Sequence, residues 1–280
     1  MSAPGVAMTG AGRDALTEGQ RRALLRPVSV PGRGAIIMLV LAAALLAWSA
    51  HGTELSLERL LRGIPLMLRF FASLWPPDGS YWLRMLEPIA VTLQMAVIGT
   101  VLSVIVAFPV SLLAAKNTAP NAVLYHGSRS LLNVIRAIPA LVWAIIFVAA
   151  LGFGPFAGAI ALAIGGLGTL GKLYSEAIEA INPRQVEAIR ATGSGPLQLF
   201  TFAVLPQALP LMVSYTLLDF EAHVRSATIL GIVGAGGIGF EIQAAFSQFQ
   251  FHRVLTIVIE IILVVSIIDR ASALVRARLI

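Results

Sequence analysis

The chain contains one stretch of 28 residues, positions 88–115, without a charged side chain. At a rise of 1.5 Å per residue, a helix needs only about 20 apolar residues to cross the hydrocarbon core of a bilayer. A second uncharged stretch, residues 34–53, is long enough as well. Only 12% of all residues are charged, which is about half the share usual in soluble domains. The composition therefore argues against a soluble enzyme and predicts an all-α, polytopic membrane protein.

Four further apolar stretches bring the predicted number of transmembrane helices to six. Pro109 should kink the span over residues 88–115, because proline removes a backbone donor. The 25 glycines and 15 prolines are many for a plain helix bundle and predict broken or kinked spans. The four further spans are predicted over residues 130–151, 156–172, 197–218 and 254–268.

These spans divide the chain into three regions. Residues 1–33 are polar and carry five arginines, so we interpret them as a cytoplasmic tail. Residues 34–85 hold the first transmembrane helix and a mixed segment whose leucines recur at helical spacing, which predicts an extracytoplasmic amphipathic helix. Residues 86–280 hold the other five spans, and a polar segment at about 174–197 is predicted to lie on the cytoplasmic side between two of them.

The distribution of charge predicts the orientation of the chain. Six spans place both termini on one side, and that side carries 14 basic against 6 acidic residues. The opposite side carries 6 basic against 8 acidic residues. Because basic loops stay in the cytoplasm, both termini are predicted to be cytoplasmic. The overall net charge of +6 therefore indicates topology and gives no reason to expect nucleic acid as a partner.

Two glycine-rich strings resemble nucleotide-binding motifs without their structural context. Residues 234–239 fit G-x-G-x-x-G, but no strand precedes them and the acidic residue that follows, Glu260, lies in an apolar span. Residues 166–172 fit the phosphate loop, but Leu173 stands where Ser or Thr is required. Cysteine is absent and the four histidines are scattered. We therefore expect no metal site, no cofactor and no enzyme activity in this chain.

A short helix with a defined start and end is predicted between the fourth and fifth spans. Asn182 is a good N-cap, Pro183 suits the first helical position, and Gln185 occupies the capping-box position. Gly193 should end the helix. A loop that only connects two spans does not need such defined ends, whereas a short rigid helix suits docking into a groove of a soluble partner.

The segment that begins with this helix resembles the EAA loop of ABC importer permeases. In that family Glu-Ala-Ala is followed by three residues, Gly, nine residues, Ile, one residue and Leu-Pro. This chain has the same spacing, with Ile189 for the second alanine and Ala203 for the isoleucine, and both positions remain apolar. The matching ATPase-coupling positions are Glu187, Ala188, Ile189, Gly193, Leu205 and Pro206.

The resemblance covers about residues 86–275 and points to the phosphonate type, on residues 136–144, 171–179 and 224–239. It implies a type I importer permease in the bacterial inner membrane, surrounded by lipid, with one helix added in front of the five-helix core. It also implies a second permease copy, two cytoplasmic ATPase subunits that bind ATP and Mg²⁺, and an extracytoplasmic binding protein. The implied cargo is phosphonate or a related phosphorus oxyanion, such as phosphate or phosphite.

Charges and glycines near the spans are candidates for the substrate path, because an oxyanion needs cationic groups or N–H donors along its way. Glu221 lies four residues before Arg225 and is its expected helical partner. The two residues either line the path or neutralise each other between helices. The glycines either expose backbone N–H groups or allow tight packing. The candidates are Arg225, Glu221, Arg136, Gly234, Gly236 and Gly237.

Three other functions stay open at this point. An amino-acid or methionine importer permease would share the glycine-rich segment. An ion-coupled secondary transporter should show inverted repeats and paired broken helices. The sequence shows no internal repeat, and this function leaves the capped helix unexplained. A membrane-embedded enzyme would need a cluster of catalytic residues.

Overall fold

The computed structural model describes residues 33–278, and every regular element in them is helical. The tail predicted over residues 1–33 lies outside this part of the chain, apart from Arg33, with which the first helix begins. The described residues separate into two compact units, which divide between Met67 and Leu68. The boundary falls within the second helix, and the units are described separately.

The first unit holds α1 (Arg33–Gly52) and the beginning of α2 (Leu57–Leu74). No Asp, Glu, Lys or Arg follows Arg33 in α1, so this helix has the composition of a membrane span. In α2, charged residues such as Glu58 and Arg62 form an ion pair on one face, while leucines occupy the other. The amphipathic helix predicted for this segment is therefore present.

The second unit begins with the end of α2 and a short 3₁₀ turn, Trp82–Met85, which leads into α3. Two wider helical turns, Phe200–Val204 and Gly231–Ala235, precede and follow the long helix α9. The helices are α3 (Leu86–Ala114), α4 (Ala122–Ala137), α5 (Ala140–Leu151), α6 (Pro155–Glu179), α7 (Pro183–Ala191), α8 (Pro196–Leu199), α9 (Leu205–Leu230), α10 (Gly237–Ser247) and α11 (Phe251–Arg276).

Five helical stretches within residues 33–278 are long and apolar enough to cross a membrane. The span predicted over residues 130–151 is different, because α4 and α5 meet there at a bend of 85°. Pro139 lacks a backbone N–H, and it biases the preceding residue, Ile138, toward the extended conformation that is observed. The pair is either a broken span or a re-entrant loop, so the described residues hold five or six spans.

The fifth span is longer than predicted. Its helical stretch runs over Pro196–Ala235, whereas the sequence placed its end at residue 218. Asp219, Glu221, His223 and Arg225 all lie within α9. They do not end the helix because other charged or polar side chains face them, as described below.

The core of the second unit forms around α6, the helix with the largest buried share among the candidate spans. This helix is rich in Gly and Ala, and it lies inside the packed bundle. Small residues let helix backbones approach closely. A Cβ atom at Gly99 in α3, for example, would lie 2.7 Å from the Cβ atom of Leu162 in α6.

Candidate functional site

The predicted capped helix is present as α7, and its ends are fixed by local hydrogen bonds. The Asn182 side chain accepts the backbone N–H of Arg184 at 3.0 Å. A capping box would require a bond to the backbone N–H of Gln185, the third helical residue. Asn182 instead caps the second helical residue. At the other end, Gly193 adopts a φ of +82°, and its N–H donates to the carbonyl of Arg190 at 3.0 Å. A glycine adopts this left-handed conformation at no steric cost.

One face of α7 packs against the protein core, and the other face is exposed. Val186 packs against a buried cluster that contains Tyr174, Ile178 and Met212. Glu187 and Ala188, which follow it, are exposed. The helix therefore presents Glu187 and Ala188 to solvent from a fixed position, whereas Ile189 is half-buried.

The Gln207 side chain joins the N-cap of α7 to the start of α9. Gln207 accepts the backbone N–H of Asn182 through Oε1 at 2.9 Å and donates through Nε2 to the carbonyl of Ala203 at 2.6 Å. Leu205, half-buried, and Pro206, exposed, form the first turn of α9 beside it. The six coupling positions predicted from the sequence thus lie on one connected segment, which includes α7 and the first turn of α9.

The pairing expected between Glu221 and Arg225 is wrong. Arg225 instead donates to Asp269 at 3.1 Å, and Glu221 pairs with Arg276. Both partners come from α11, which runs beside α9 and offers each side chain an opposite charge. The sequence had also placed Glu221 and Arg225 on the opposite side of the membrane from these partners. Since one is acidic and the other basic, moving both leaves the predicted charge difference between the two sides unchanged.

The glycines of the candidate path lie at a break in the helix. Gly234, Gly236 and Gly237 have φ values of +103°, +84° and +66°. The Gly234 carbonyl accepts the N–H of Gly154 at 3.0 Å, and a Cβ atom at Gly234 would lie 2.2 Å from the Phe153 ring. Gly234 therefore shows tight packing, which is one of the two interpretations that the sequence left open.

The remaining cationic candidate, Arg136, is exposed at the end of α4. Its backbone and Cγ lie close to Gly168 of α6, where a Cβ atom would be 2.9 Å from Cγ. Arg136, the ion-paired Arg225 and the glycine-rich break therefore have three separate sets of neighbours, and the structure does not join them into one cluster.

Sequence reasoning missed a buried polar cluster. Asp219 and His223 lie one turn apart on α9, and Thr100 of α3 contacts the His223 ring. The sequence signal was the spacing of four residues between an acid and a histidine within a helical stretch. It was overlooked because the histidines were judged only for metal-ligand spacing.

A second polar cluster lies beside the start of α11. The Tyr81 hydroxyl donates to Glu241 at 2.7 Å, and the Arg253 guanidinium lies over the Tyr81 ring. Burial raises the pKa of Tyr81 to about 12, and the charge of Glu241 adds to the shift. Hydrogen bonds from Ser80 hold the pKa of Asp78 below its usual value of 3.8, and Arg253 contributes in the same direction.

We expect the substitution Asp78→Asn to remove part of the acid sensitivity of the fold. The folded-state pKa of Asp78 is lowered, so its interactions stabilise the protein above about pH 4 and are lost as the pH falls through the folded-state value. We expect the unfolding temperature of the variant in detergent to lie below that of the wild type at pH 7. The two temperatures should converge as the pH is lowered to about 3. Glu58→Gln, at an exposed position, is the control, and curves that stay parallel would contradict the expectation.

Comparison with known proteins gives the family. Residues 107–280 match the family described as binding-protein-dependent transport system inner membrane component. The chain belongs to this permease family. The matched part begins in α3 and contains α7 together with α9, α10 and α11. The permease is therefore an inner-membrane subunit of an ABC importer, and α1 and α2 lie outside the matched residues.

Individual relatives agree with this assignment. The permease is 38% identical over 217 residues to the phosphite transport system permease protein PtxC of Stutzerimonas stutzeri, over 78% of this chain and 79% of that protein. It is 40% identical over 211 residues to the phosphate-import permease protein PhnE of Mycolicibacterium smegmatis, over 75% of this chain and 40% of that protein. Among solved structures, the inward-facing MetNI methionine ABC transporter shares its fold, with a TM-score of 0.64 and 24% identity over 72% of this chain and 99% of that one.

Proposed function

We propose that the permease imports a phosphorus oxyanion, namely phosphonate, phosphite or phosphate. The observation that carries this proposal is the identity of 38% to 40% with permeases named for phosphite and phosphate transport. A methionine or amino-acid permease is the second candidate, and it is supported by the fold shared with the methionine transporter.

The binding protein that delivers the cargo offers the sharpest test of the substrate. Calorimetry of the purified cognate binding protein with phosphonate, phosphite, phosphate and methionine should show binding of at least one oxyanion and none of methionine. Binding of methionine alone would overturn the proposal and support the second candidate. The permease itself is not titrated in this experiment, so the result does not depend on its stability in detergent.

The mechanism we propose is alternating access driven from outside the chain. Two cytoplasmic ATPase subunits would bind ATP and Mg²⁺, while this chain contributes no cofactor. The α7 helix of each permease copy would sit in a cleft of one ATPase. Closure of the ATPase pair would move α7 and, through Gln207, the first turn of α9, as a rigid-body switch between two states. The exposed Glu187 and the anchored Val186 support this role. The assembly would include a second permease copy and the extracytoplasmic binding protein.

For the topology, we propose six spans with both termini in the cytoplasm. The pair of α4 and α5 would then count as one broken span. α2 would lie in the outer interface, because its leucine-rich face is exposed and its charged face carries Glu58, Arg59 and Arg62. For the substrate path we propose Arg225, Glu221 and Arg136 together with the backbone around Gly234, Gly236 and Gly237.

Reversing the charge of Glu187 tests the docking role. We expect Glu187→Arg to abolish co-purification of an ATPase with the tagged permease and to reduce uptake of the oxyanion to background. Glu187 is exposed, so the variant should insert and fold normally. Glu58→Arg is the matched control, because it makes the same charge reversal at an exposed position of α2 where we propose no ATPase contact. Normal co-purification and uptake by the Glu187 variant would overturn the docking role.

A further inference from the structure

Three helices of the permease core meet at a buried polar cluster. Asp219 and His223 of α9 have side chains that are 6% and 7% exposed, and their Oδ2 and Nε2 atoms are 3.4 Å apart. α3 contributes Thr100 and Ser103, which are also buried. α6 contributes Gly166, where a Cβ atom would lie 2.3 Å from Ser103 Oγ and 2.8 Å from Asp219 Oδ2. The polar side chains therefore lie directly against the backbone of α6.

Thr100 determines which nitrogen of His223 carries a proton. Its Oγ1 atom lies 2.8 Å from the carbonyl oxygen of Ala96 and 2.8 Å from Nδ1 of His223. A hydroxyl has one proton to donate and a carbonyl can only accept, so the hydroxyl donates to Ala96. Nδ1 must then carry a hydrogen and donate to Thr100, because otherwise two acceptors would face each other.

The remaining nitrogen, Nε2, faces Asp219 Oδ2. An unprotonated nitrogen against a carboxylate would place two acceptors together and leave a net negative charge in the membrane-embedded core, which is costly. A single proton between the two atoms removes the repulsion and the net charge, whether it resides on the oxygen or on the nitrogen. The two atoms lie close together without a hydrogen bond in this geometry, because Oδ2 has no hydrogen-bond partner among the described residues.

Neighbouring groups do not supply a neutralising charge. From α6, the Tyr174 hydroxyl is bonded to Thr216 at 2.5 Å. α3 has no charged side chain after Glu87, and α5 has none at all. On α9 itself, Glu221 and Arg225 are paired with Arg276 and Asp269 of α11. The acid Glu260 of α11 is buried and would add negative charge.

We propose that Asp219 and His223 form a proton-binding site in the permease core. One proton is held on Oδ2 or on Nε2, Thr100 fixes the tautomer, and the bond between Thr100 and Nδ1 joins α9 to α3. The site belongs to this chain alone, so the proposal does not rest on the identity of the cargo or on ATPase docking.

The tautomer is tested by nitrogen NMR on the full-length permease with ¹⁵N-labelled histidine in lipid nanodiscs. His223→Gln identifies the resonances of His223 by their loss. We expect Nδ1 to be protonated in the wild type, and we expect Thr100→Val to change the protonation pattern of the ring. An unprotonated Nδ1 in the wild type, or a pattern that Thr100→Val leaves unchanged, would overturn the proposal.

A double-mutant cycle tests whether the two residues act as one unit. Asp219→Leu and His223→Leu each leave the other polar group buried without a partner, so each should lower the unfolding temperature in detergent by several degrees. The double variant replaces both partners with apolar side chains and should recover most of that loss. Arg225→Leu and Asp269→Leu, at a half-exposed ion pair, are the controls and should show small shifts. If the double variant loses as much in unfolding temperature as the two single variants together, the shared proton is refuted. If a single variant does not fold, the NMR measurement is the deciding test.

Discussion

Replacing Gly239 with alanine is expected to prevent the permease from reaching a stable fold. The added Cβ atom would lie 1.9 Å from the carbonyl oxygen of Thr228 and 2.8 Å from the Cα atom of Gly231. Both obstructing atoms belong to the backbone of the preceding helical stretch, so no side-chain rotation relieves the overlap. Overpacking a tight interior costs typically about 1–3 kcal/mol, and a backbone obstacle puts this site at or above the upper limit.

The measurement is the yield of monodisperse protein by size-exclusion chromatography in detergent, followed by the unfolding temperature of whatever folds. Gly127→Ala is the matched control, because Gly127 also lies in a helix and a Cβ atom there meets nothing within 4 Å. We expect the control to behave like the wild type. A Gly239→Ala variant with wild-type yield and unfolding temperature would show that the two helical stretches can separate at no cost.

The second large effect is expected at Gly166, and its neighbour Gly165 provides the comparison. In Gly166→Ala the Cβ atom would lie 2.3 Å from Ser103 Oγ and 2.7 Å from His223 Cε1. In Gly165→Ala it would meet only the Ala140 Cβ atom, at an ordinary contact distance of 3.7 Å. Alanine is favoured over glycine inside a helix by about 1 kcal/mol. We therefore expect Gly165→Ala to be neutral or stabilising and Gly166→Ala to lower stability by about 1–3 kcal/mol.

Unfolding temperatures of the two variants, measured in the same detergent, should shift in opposite directions or differ by several degrees. Adding Ser103→Ala to Gly166→Ala removes the atom nearest to the new Cβ and should recover part of the loss. Equal behaviour of the two alanine variants would contradict the close approach of α6 to the polar cluster.

Elements whose signals are local were predictable from the sequence. The bounds of α1 follow from the length of an uncharged stretch, and those of α7 follow from Asn182 and Gly193, whose capping bonds reach only two or three residues. The bend at Pro139 was only partly predictable. Proline indicates an interruption, but the angle of 85° depends on how α4 and α5 pack against other helices.

The charged residues of α9 could not be paired correctly from the sequence. The rule for residues four apart favoured Glu221 with Arg225, whereas their partners lie 55 and 44 positions further along the chain. The contribution of α3 to the polar cluster was hidden for the same reason, because Thr100 is 123 positions before His223. The sequence shows which residues lie on one face of a helix, but the helix that covers this face is determined by tertiary packing.

The hydrogen bond between Gln207 and Asn182 joins α9 to the start of α7, so a movement of α7 would tilt α9. This helix has 26 residues, so it is about 39 Å long at 1.5 Å per residue. A tilt of about 5° imposed at its first turn would displace its far end by about 3 Å over that length. The far end leads directly into the glycine-rich break, where Phe153 lies against Gly234 with no room for a methyl group. A displacement of that size is larger than the clearance at the break, so a small rotation at the first turn of α9 would be enough to separate or jam this contact.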